Sequence, residues 1–121
     1  GDFHQAGVVQ KSYEYNEPLQ VLRTQAHKGE LSGCHSFITV ESDHVILNVV
    51  KNAEEGEGWI LRFYETAGKE GAAAVRFDRS IKRVEEVNLI EDPLQSIPST
   101  RDAFVYQIKP NEIRTFRVEW R

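Results

Sequence analysis

Few side chains in this sequence are suited to metal binding or nucleophilic catalysis. It has one cysteine, Cys34, and four histidines: His4, His27, His35 and His44. None of the histidines belongs to an H-x-H, H-x-D or HExxH pattern, the spacings that place two ligands on one face of a strand or helix. Cys34 and His35 are adjacent, but successive side chains of a strand point to opposite faces, so they do not form a nucleophile–base pair. The sequence therefore predicts neither a metal centre nor a cysteine nucleophile.

Neighbouring carboxylates are the next candidates, because glycoside hydrolysis uses a pair of them. They occur at Glu54, Glu55 and Glu57, at Glu85 and Glu86, and at Glu91 and Asp92. A glycosidase needs two carboxyl groups that face each other across a cleft, one of them with a raised pKa. Neighbours on a turn are solvated and do not oppose each other. The chain also lacks G-x-S-x-G, P-loop and G-x-G-x-x-G motifs, so we predict no catalytic residue in it.

Two aromatic side chains, Trp59 and Tyr64, are candidates for carbohydrate binding, because sugars stack on exposed rings. Trp59 begins a predicted strand on its core-facing side, which favours a role in closing the core. Sugar binding by Trp59 or Tyr64 is therefore the weaker alternative, and packing is the favoured interpretation.

Composition and charge exclude several classes of protein. The 121 residues suit a single domain, and 40% hydrophobic with 28% charged residues is typical of a globular chain. Fifteen basic and nineteen acidic side chains are interleaved, so no basic stripe is available for a nucleic acid. Apolar runs such as those at 45–47 and 72–75 are far too short to cross a bilayer. We expect no nucleic-acid partner and no membrane partner.

The single cysteine excludes an intrachain disulfide, and no asparagine lies in an N-x-S/T acceptor. Both features favour a cytoplasmic location. The chain starts at Gly1 and contains no methionine, which predicts a processed protein or a piece of a longer one, with Gly1 consistent with a tag scar.

The order of residues predicts an all-β protein, an antiparallel β-sandwich of about nine short strands. Val, Ile and Thr total 25 residues against 15 for Leu and Ala, and β-branched side chains suit a pleated surface. Alternation of apolar and polar residues locates the strands. Their predicted bounds are 7–15, 19–25, 35–41, 44–51, 59–65, 73–78, 83–90, 104–109 and 113–120. The segment from 91 to 103, with two prolines, is predicted to be the longest loop.

The three strands between residues 44 and 78 are predicted to form a meander whose two faces differ. Phe63 is placed opposite Leu47 and Val75, and Leu61 opposite Val49 and Phe77. These six residues form the predicted core face. The predicted outer face includes Ile46, Val50, Ile60, Arg62, Tyr64 and Arg76.

This outer face is half apolar, whereas the outer face of a free-standing sandwich is usually polar. Either a segment of the same chain covers it, or another domain does. These six residues are therefore the candidate interdomain contact.

Five segments in order resemble the C-terminal β-domain of the glycoside hydrolase family 38 α-mannosidases. The most telling is Trp59 to Gly68, WILRFYETAG, which is similar to the family's I-L-R-x-Y-E/N-x-x-G. The others are NEPL from residue 16, VILNVVKNAEEGEG from 45, EVNLIE from 86 and KPNEIRTFRV from 109. The resemblance covers residues 16–121 as one domain and leaves residues 1–15 as an N-terminal segment or first strand.

The resemblance implies a retaining hydrolase of terminal α-mannosides, with its nucleophile and its His and Asp ligands of a zinc-type cation in an N-terminal catalytic domain. None of those motifs occurs here, so no catalytic or metal residue carries over, and we expect no cofactor in this chain. Its expected partners are the catalytic and middle domains of its parent chain, with the α-mannoside substrate bound through the parent. A free-standing carbohydrate- or protein-binding module is the alternative.

Overall fold

The computed structural model describes residues 6–121, and these fall into two compact units. The first ends at His35 and the second spans Ser36–Arg121. The sandwich domain is predicted to begin at residue 16, whereas the unit that contains the sandwich begins at Ser36. Gly1, the predicted tag scar, lies outside the described residues.

The first unit contains one helix, α1, Val8–Asn16. It follows Gly7, whose φ is 63°, and it ends where the Glu17 N–H donates to Tyr13 O at 2.8 Å. The strand predicted at 7–15 is wrong. The polar side chains of this segment pair at helical spacing, as Lys11 does with Glu14 at 2.6 Å. Pro18 stops the helix, because a residue before proline disfavours helical angles.

The second predicted strand, at 19–25, is also wrong, because residues 17–35 contain no helix or strand. Leu19 and Val21 alternate with polar residues but are almost fully exposed. Alternation produces a strand only where a neighbouring strand accepts its hydrogen bonds.

The second unit is an antiparallel β-sandwich of eight strands, which confirms the predicted fold class. The strands are β1 Ile38–Glu41, β2 Val45–Asn52, β3 Trp59–Glu65, β4 Gly71–Phe77, β5 Ile81–Val87, β6 Pro93–Ser96, β7 Ala103–Ile108 and β8 Ile113–Trp120. A three-stranded sheet has the order β1-β4-β7, and a five-stranded sheet has the order β2-β3-β8-β5-β6. The strand β6 lies within the predicted long loop, so that prediction is partly wrong. No helix among residues 6–121 is long and apolar enough to span a membrane.

The core lies between the two sheets and is rich in aromatic rings. The ring centre of Phe116 lies 5.9, 5.1 and 4.6 Å from those of Phe63, Phe104 and Tyr106. These rings come from β3, β7 and β8, so the cluster joins the two sheets. Tilted ring pairs at such distances add stabilisation beyond the buried area.

The predicted meander is wrong at its second hairpin. The strand β3 pairs with β2 and β8, whereas β4 pairs with β1 and β7 in the other sheet. The connection at 66–70 therefore crosses between sheets. Leu61, Phe63, Val75 and Phe77 are nevertheless all buried in the core, because the inner faces of both sheets meet there.

The predicted register of β2 on β3 is right at one end and wrong at the other. Phe63 lies opposite Leu47, as predicted. A β-bulge between Leu47 and Val49 then places Val50, not Val49, opposite Leu61. Because the extra residue reverses the alternation, Val49 faces outward beside Arg62 and Val50 lies on the inner side. The prediction had these two valines exchanged.

Candidate functional site

The outer face of the five-stranded sheet, the predicted interdomain contact, can be built from the observed register. Residues directly opposite each other in an antiparallel pair share a face. Three rows result: Ile46, Tyr64 and Ile113; Val49, Arg62, Thr115 and Val87; Lys51, Ile60, Arg117 and Glu85. We call these residues the outer face. It is half apolar and includes Arg62 and Tyr64, as predicted; Lys51 and Arg117 lie on it as well.

The loop from Asn88 to Asp92, here called the covering loop, crosses this outer face. Arg62 Nη2 donates to Leu89 O at 3.3 Å, and Arg117 Nη2 donates to Glu91 O at 3.3 Å. Beyond them, Lys51 Nζ lies 2.6 Å from Glu91 Oε1. The loop therefore runs from β5 across β8 and β3 to β2.

Ile60 lies between Lys51 and Arg117 in its row and is 0% exposed. Both of these cations contact Glu91 of the covering loop. At Ile60, therefore, a segment of the same chain covers the apolar face, and not another domain. This residue cannot contact another domain while the loop is in place.

The covering loop is closed by the side chain of Asn88. Asn88 Oδ1 accepts the backbone N–H of Ile90 at 3.0 Å and that of Asp92 at 2.9 Å. The turn places Glu91 at a φ of 70°. The left-handed region costs an ordinary residue roughly 1–2 kcal/mol, so other contacts must hold Glu91 there.

Those contacts converge on the Glu91 carboxylate, whose side chain is 6% exposed. It binds Lys51 Nζ at 2.6 Å, accepts the Glu54 N–H at 2.9 Å and lies 3.8 Å from Arg117 Nη2. Burial raises the pKa of Glu91, but the bonds from Lys51 and Glu54 and the charge of Arg117 outweigh it, so its pKa is lowered. The carboxylate stays ionised and anchors the loop.

The structure corrects three of the six predicted interdomain residues. Arg76 lies on the three-stranded sheet, where its Nε binds Glu41 Oε1 at 2.6 Å. Because of the bulge, Val50 lies on the other side of its sheet, where it is 49% exposed, and Ile60 is covered. Ile46, Arg62 and Tyr64 remain together on the outer face, partly exposed. Contact of these three with another domain stays a prediction.

Trp59 lies at the end of the core, where packing was the favoured interpretation. Its ring meets the edge of Trp120 at 5.3 Å between centres. The guanidinium carbon of Arg79 lies 5.3 Å from the centre of each of these rings, so a cation already covers one face of both. Trp59 is the first residue of β3 and Tyr64 is the last but one, and their side chains point to opposite faces. Their backbone positions are roughly 17 Å apart at 3.4 Å per residue. They cannot form one sugar site.

A buried carboxylate that the sequence analysis missed is Glu65, at the end of β3. Its residue is 3% exposed. Oε1 accepts the Ala67 N–H at 2.7 Å, and Oε2 accepts the N–H groups of Gly68 and Asn111, each at 2.8 Å. Burial raises the pKa of Glu65, but these backbone bonds and one from Lys69 outweigh it and lower the pKa. Glu65 thereby joins the connection after β3 to the connection before β8. The sequence feature that could have predicted this role is a glutamate at the end of a strand, followed by Gly68, whose φ is 66°.

Comparison with known proteins identifies the family to which this sandwich belongs. The family described as "Glycosyl hydrolases family 38 C-terminal beta sandwich domain" matches residues 44–116, more than half of the chain. The chain belongs to this family. "Alpha-mannosidase G" of Dictyostelium discoideum is 29% identical over 123 residues, which cover 97% of this chain and 11% of that protein. The chain therefore spans only a small part of the length of the curated relative that it matches.

The match confirms the resemblance to the family 38 domain. Four of the five quoted segments lie wholly or mostly within residues 44–116, which run from the start of β2 into β8. The segment NEPL from residue 16 lies outside the family match but inside the stretch shared with the mannosidase.

The structure places the predicted metal-ligating and paired-carboxylate candidates among residues 6–121. No group of three or more His, Cys, Asp or Glu side chains in that range could hold a metal ion. The adjacent Glu85 and Glu86 diverge: Glu85 belongs to the outer face, whereas Glu86 pairs with Arg114 Nε at 2.5 Å on the inner side. What the described part of the domain shows is a sheet face crossed by a loop that hydrogen bonds and an ion pair hold in place.

Proposed function

We propose that this chain is the non-catalytic C-terminal β-sandwich domain of an α-mannosidase. The observation that carries the proposal is the family 38 match, which covers six of the eight sandwich strands wholly and half of β8. The relative that shares 97% of the chain is itself called an alpha-mannosidase, and the shared stretch is 11% of it. Most of such an enzyme lies outside a domain of this size.

In the proposed enzyme, terminal α-mannosides are hydrolysed with retention in a separate catalytic domain, which also holds the zinc-type cation. The role of this chain is to pack on the catalytic and middle domains and stabilise them. Ile46, Arg62 and Tyr64 are proposed to belong to that contact. A cytoplasmic location is proposed as well, in keeping with a single cysteine, Cys34, which is free and exposed.

The test is the complete reading frame and the protein that it encodes. The frame should contain, before this domain, several hundred residues with an H-x-D motif and a catalytic aspartate. The encoded protein should hydrolyse an aryl α-mannoside, and removal of zinc by a chelator should abolish the activity. A frame with no such region, or an intact protein that hydrolyses no α-mannoside, would overturn the proposal.

A further inference from the structure

The covering loop presents two large apolar side chains to solvent. Leu89 is 64% exposed and Ile90 is 77% exposed. Leu94, just after the loop, and Ile113, on the outer face, are also more than half exposed. Single exposed aliphatic residues are common, but a group of them in one region of the surface marks an interaction site.

The backbone that carries this pair is held from both sides. Asn88 closes the turn from within, while the Glu91 carboxylate holds it to Lys51 and to the Glu54 amide. Glu91 keeps its positive φ of 70° under these constraints. Backbone strain of this kind is concentrated at sites of recognition and catalysis. The backbone of the loop is therefore held by its own contacts, while Leu89 and Ile90 stay exposed to solvent.

We propose that Leu89 and Ile90 anchor this domain in an apolar pocket of another domain of the same α-mannosidase polypeptide. The inference rests on the proposed function and adds the docking element to it. A domain that matches 11% of its relative adjoins a much longer chain. Arg62, which is partly exposed and donates to Leu89 O, adds a polar group beside the apolar pair, as is common at the rim of an interface.

A second copy of the chain is a less suitable partner for Leu89 and Ile90 than another domain of the same polypeptide. The strand next to the covering loop, β6, is the edge of its sheet and begins with Pro93. Proline lacks the N–H that pairing between two copies would use. The apolar pair alone would then have to hold a dimer together.

The test compares thiol labelling in the intact protein that contains this domain. Ile90→Cys is expected to react with a maleimide at least tenfold more slowly than Val105→Cys, with each site followed by peptide mass spectrometry. Val105 is the matched control, because it is 57% exposed and lies on the other sheet. In denaturant both should react at the same rate. If Ile90→Cys reacts as fast as Val105→Cys in the folded protein, the docking proposal is overturned.

A second pair of variants tests whether the contact stabilises the enzyme. Leu89→Asp with Ile90→Asp should shorten the half-life of α-mannosidase activity at elevated temperature at least fivefold, whereas Val105→Asp should leave it unchanged. Equal half-lives would overturn the proposal. So would protection of Ile90→Cys that disappears when a dimer dissociates on dilution, because the occupant would then be a second copy. The labelling test does not depend on enzyme activity. If Ile90→Cys is protected in an intact protein that hydrolyses no α-mannoside, the docking proposal stands and the proposed function is overturned.

Discussion

Glu65→Gln removes the charge of the buried carboxylate that joins two connections of the sandwich. Its two oxygens accept three backbone N–H groups at 2.7–2.8 Å. A glutamine has one oxygen, so at least one of these amides loses its acceptor and faces an NH₂ group instead. An unsatisfied buried amide costs about 1–3 kcal/mol, and the bonds that remain lose roughly half their strength without the charge. We expect a loss of about 3 kcal/mol.

The assay is urea unfolding of the 121-residue chain followed by tryptophan fluorescence, since both tryptophans lie in the sandwich. The matched control is Glu55→Gln at an exposed position, which should change the free energy of unfolding by less than about 0.5 kcal/mol. The reasoning is wrong if Glu65→Gln and Glu55→Gln unfold at the same urea concentration at pH 7.

The pH dependence gives an independent check on the same variant. The folded pKa of Glu65 lies below the ordinary value of 4.5. Its carboxylate therefore stabilises the fold above that value, and this contribution is lost as the pH falls through the folded pKa. The difference between wild type and Glu65→Gln should shrink on acidification from pH 7 into that range. A constant difference would contradict the role assigned to the charge.

Three further predictions follow from the packing. Ile60→Ala should cost about 2–5 kcal/mol because Ile60 is fully buried, whereas Ile113→Ala at an exposed position should cost less than about 0.5 kcal/mol; equal midpoints in urea would show that the covering loop does not bury Ile60. Gly58→Ala should cost at least about 2 kcal/mol, because its φ is 110° and a Cβ would lie 2.7 Å from Val118 O. Gly56→Ala, at a φ of 75° with open space around it, should cost only roughly 1 kcal/mol, and thermal melts that rank the two the other way would contradict the close approach. Titration of mannose into the chain should leave its tryptophan fluorescence unchanged, and a saturable change would favour the carbohydrate-binding module instead.

The sequence predicted strands best where alternation and flanking turns agreed. The bounds of β3 and β8 are as predicted, at 59–65 and 113–120. The pairing of β3 with β8 was not predicted, because strands so far apart along the chain pair through tertiary packing, which alternation does not report. The helix α1 was missed for a related reason: its apolar residues follow no clear period, and side-chain pairing between polar residues decides its structure.

The candidate site was predictable in composition but not in geometry. The parity of β3 correctly placed Arg62 and Tyr64 on one outer face. The bulge after Leu47 exchanged Val49 and Val50, and a one-residue insertion of this kind leaves no mark on the alternation. The covering loop was equally invisible, because its position depends on the contact of Glu91 with Lys51, 40 residues earlier in the chain.

The most direct test of the central claim is a side-by-side assay of aryl α-mannoside hydrolysis, with zinc present, by the intact protein and by the 121-residue chain alone. We predict turnover by the intact protein and none above blank by the isolated chain. Hydrolysis by the isolated chain, or none by the intact protein, would contradict its assignment as the non-catalytic domain of an α-mannosidase.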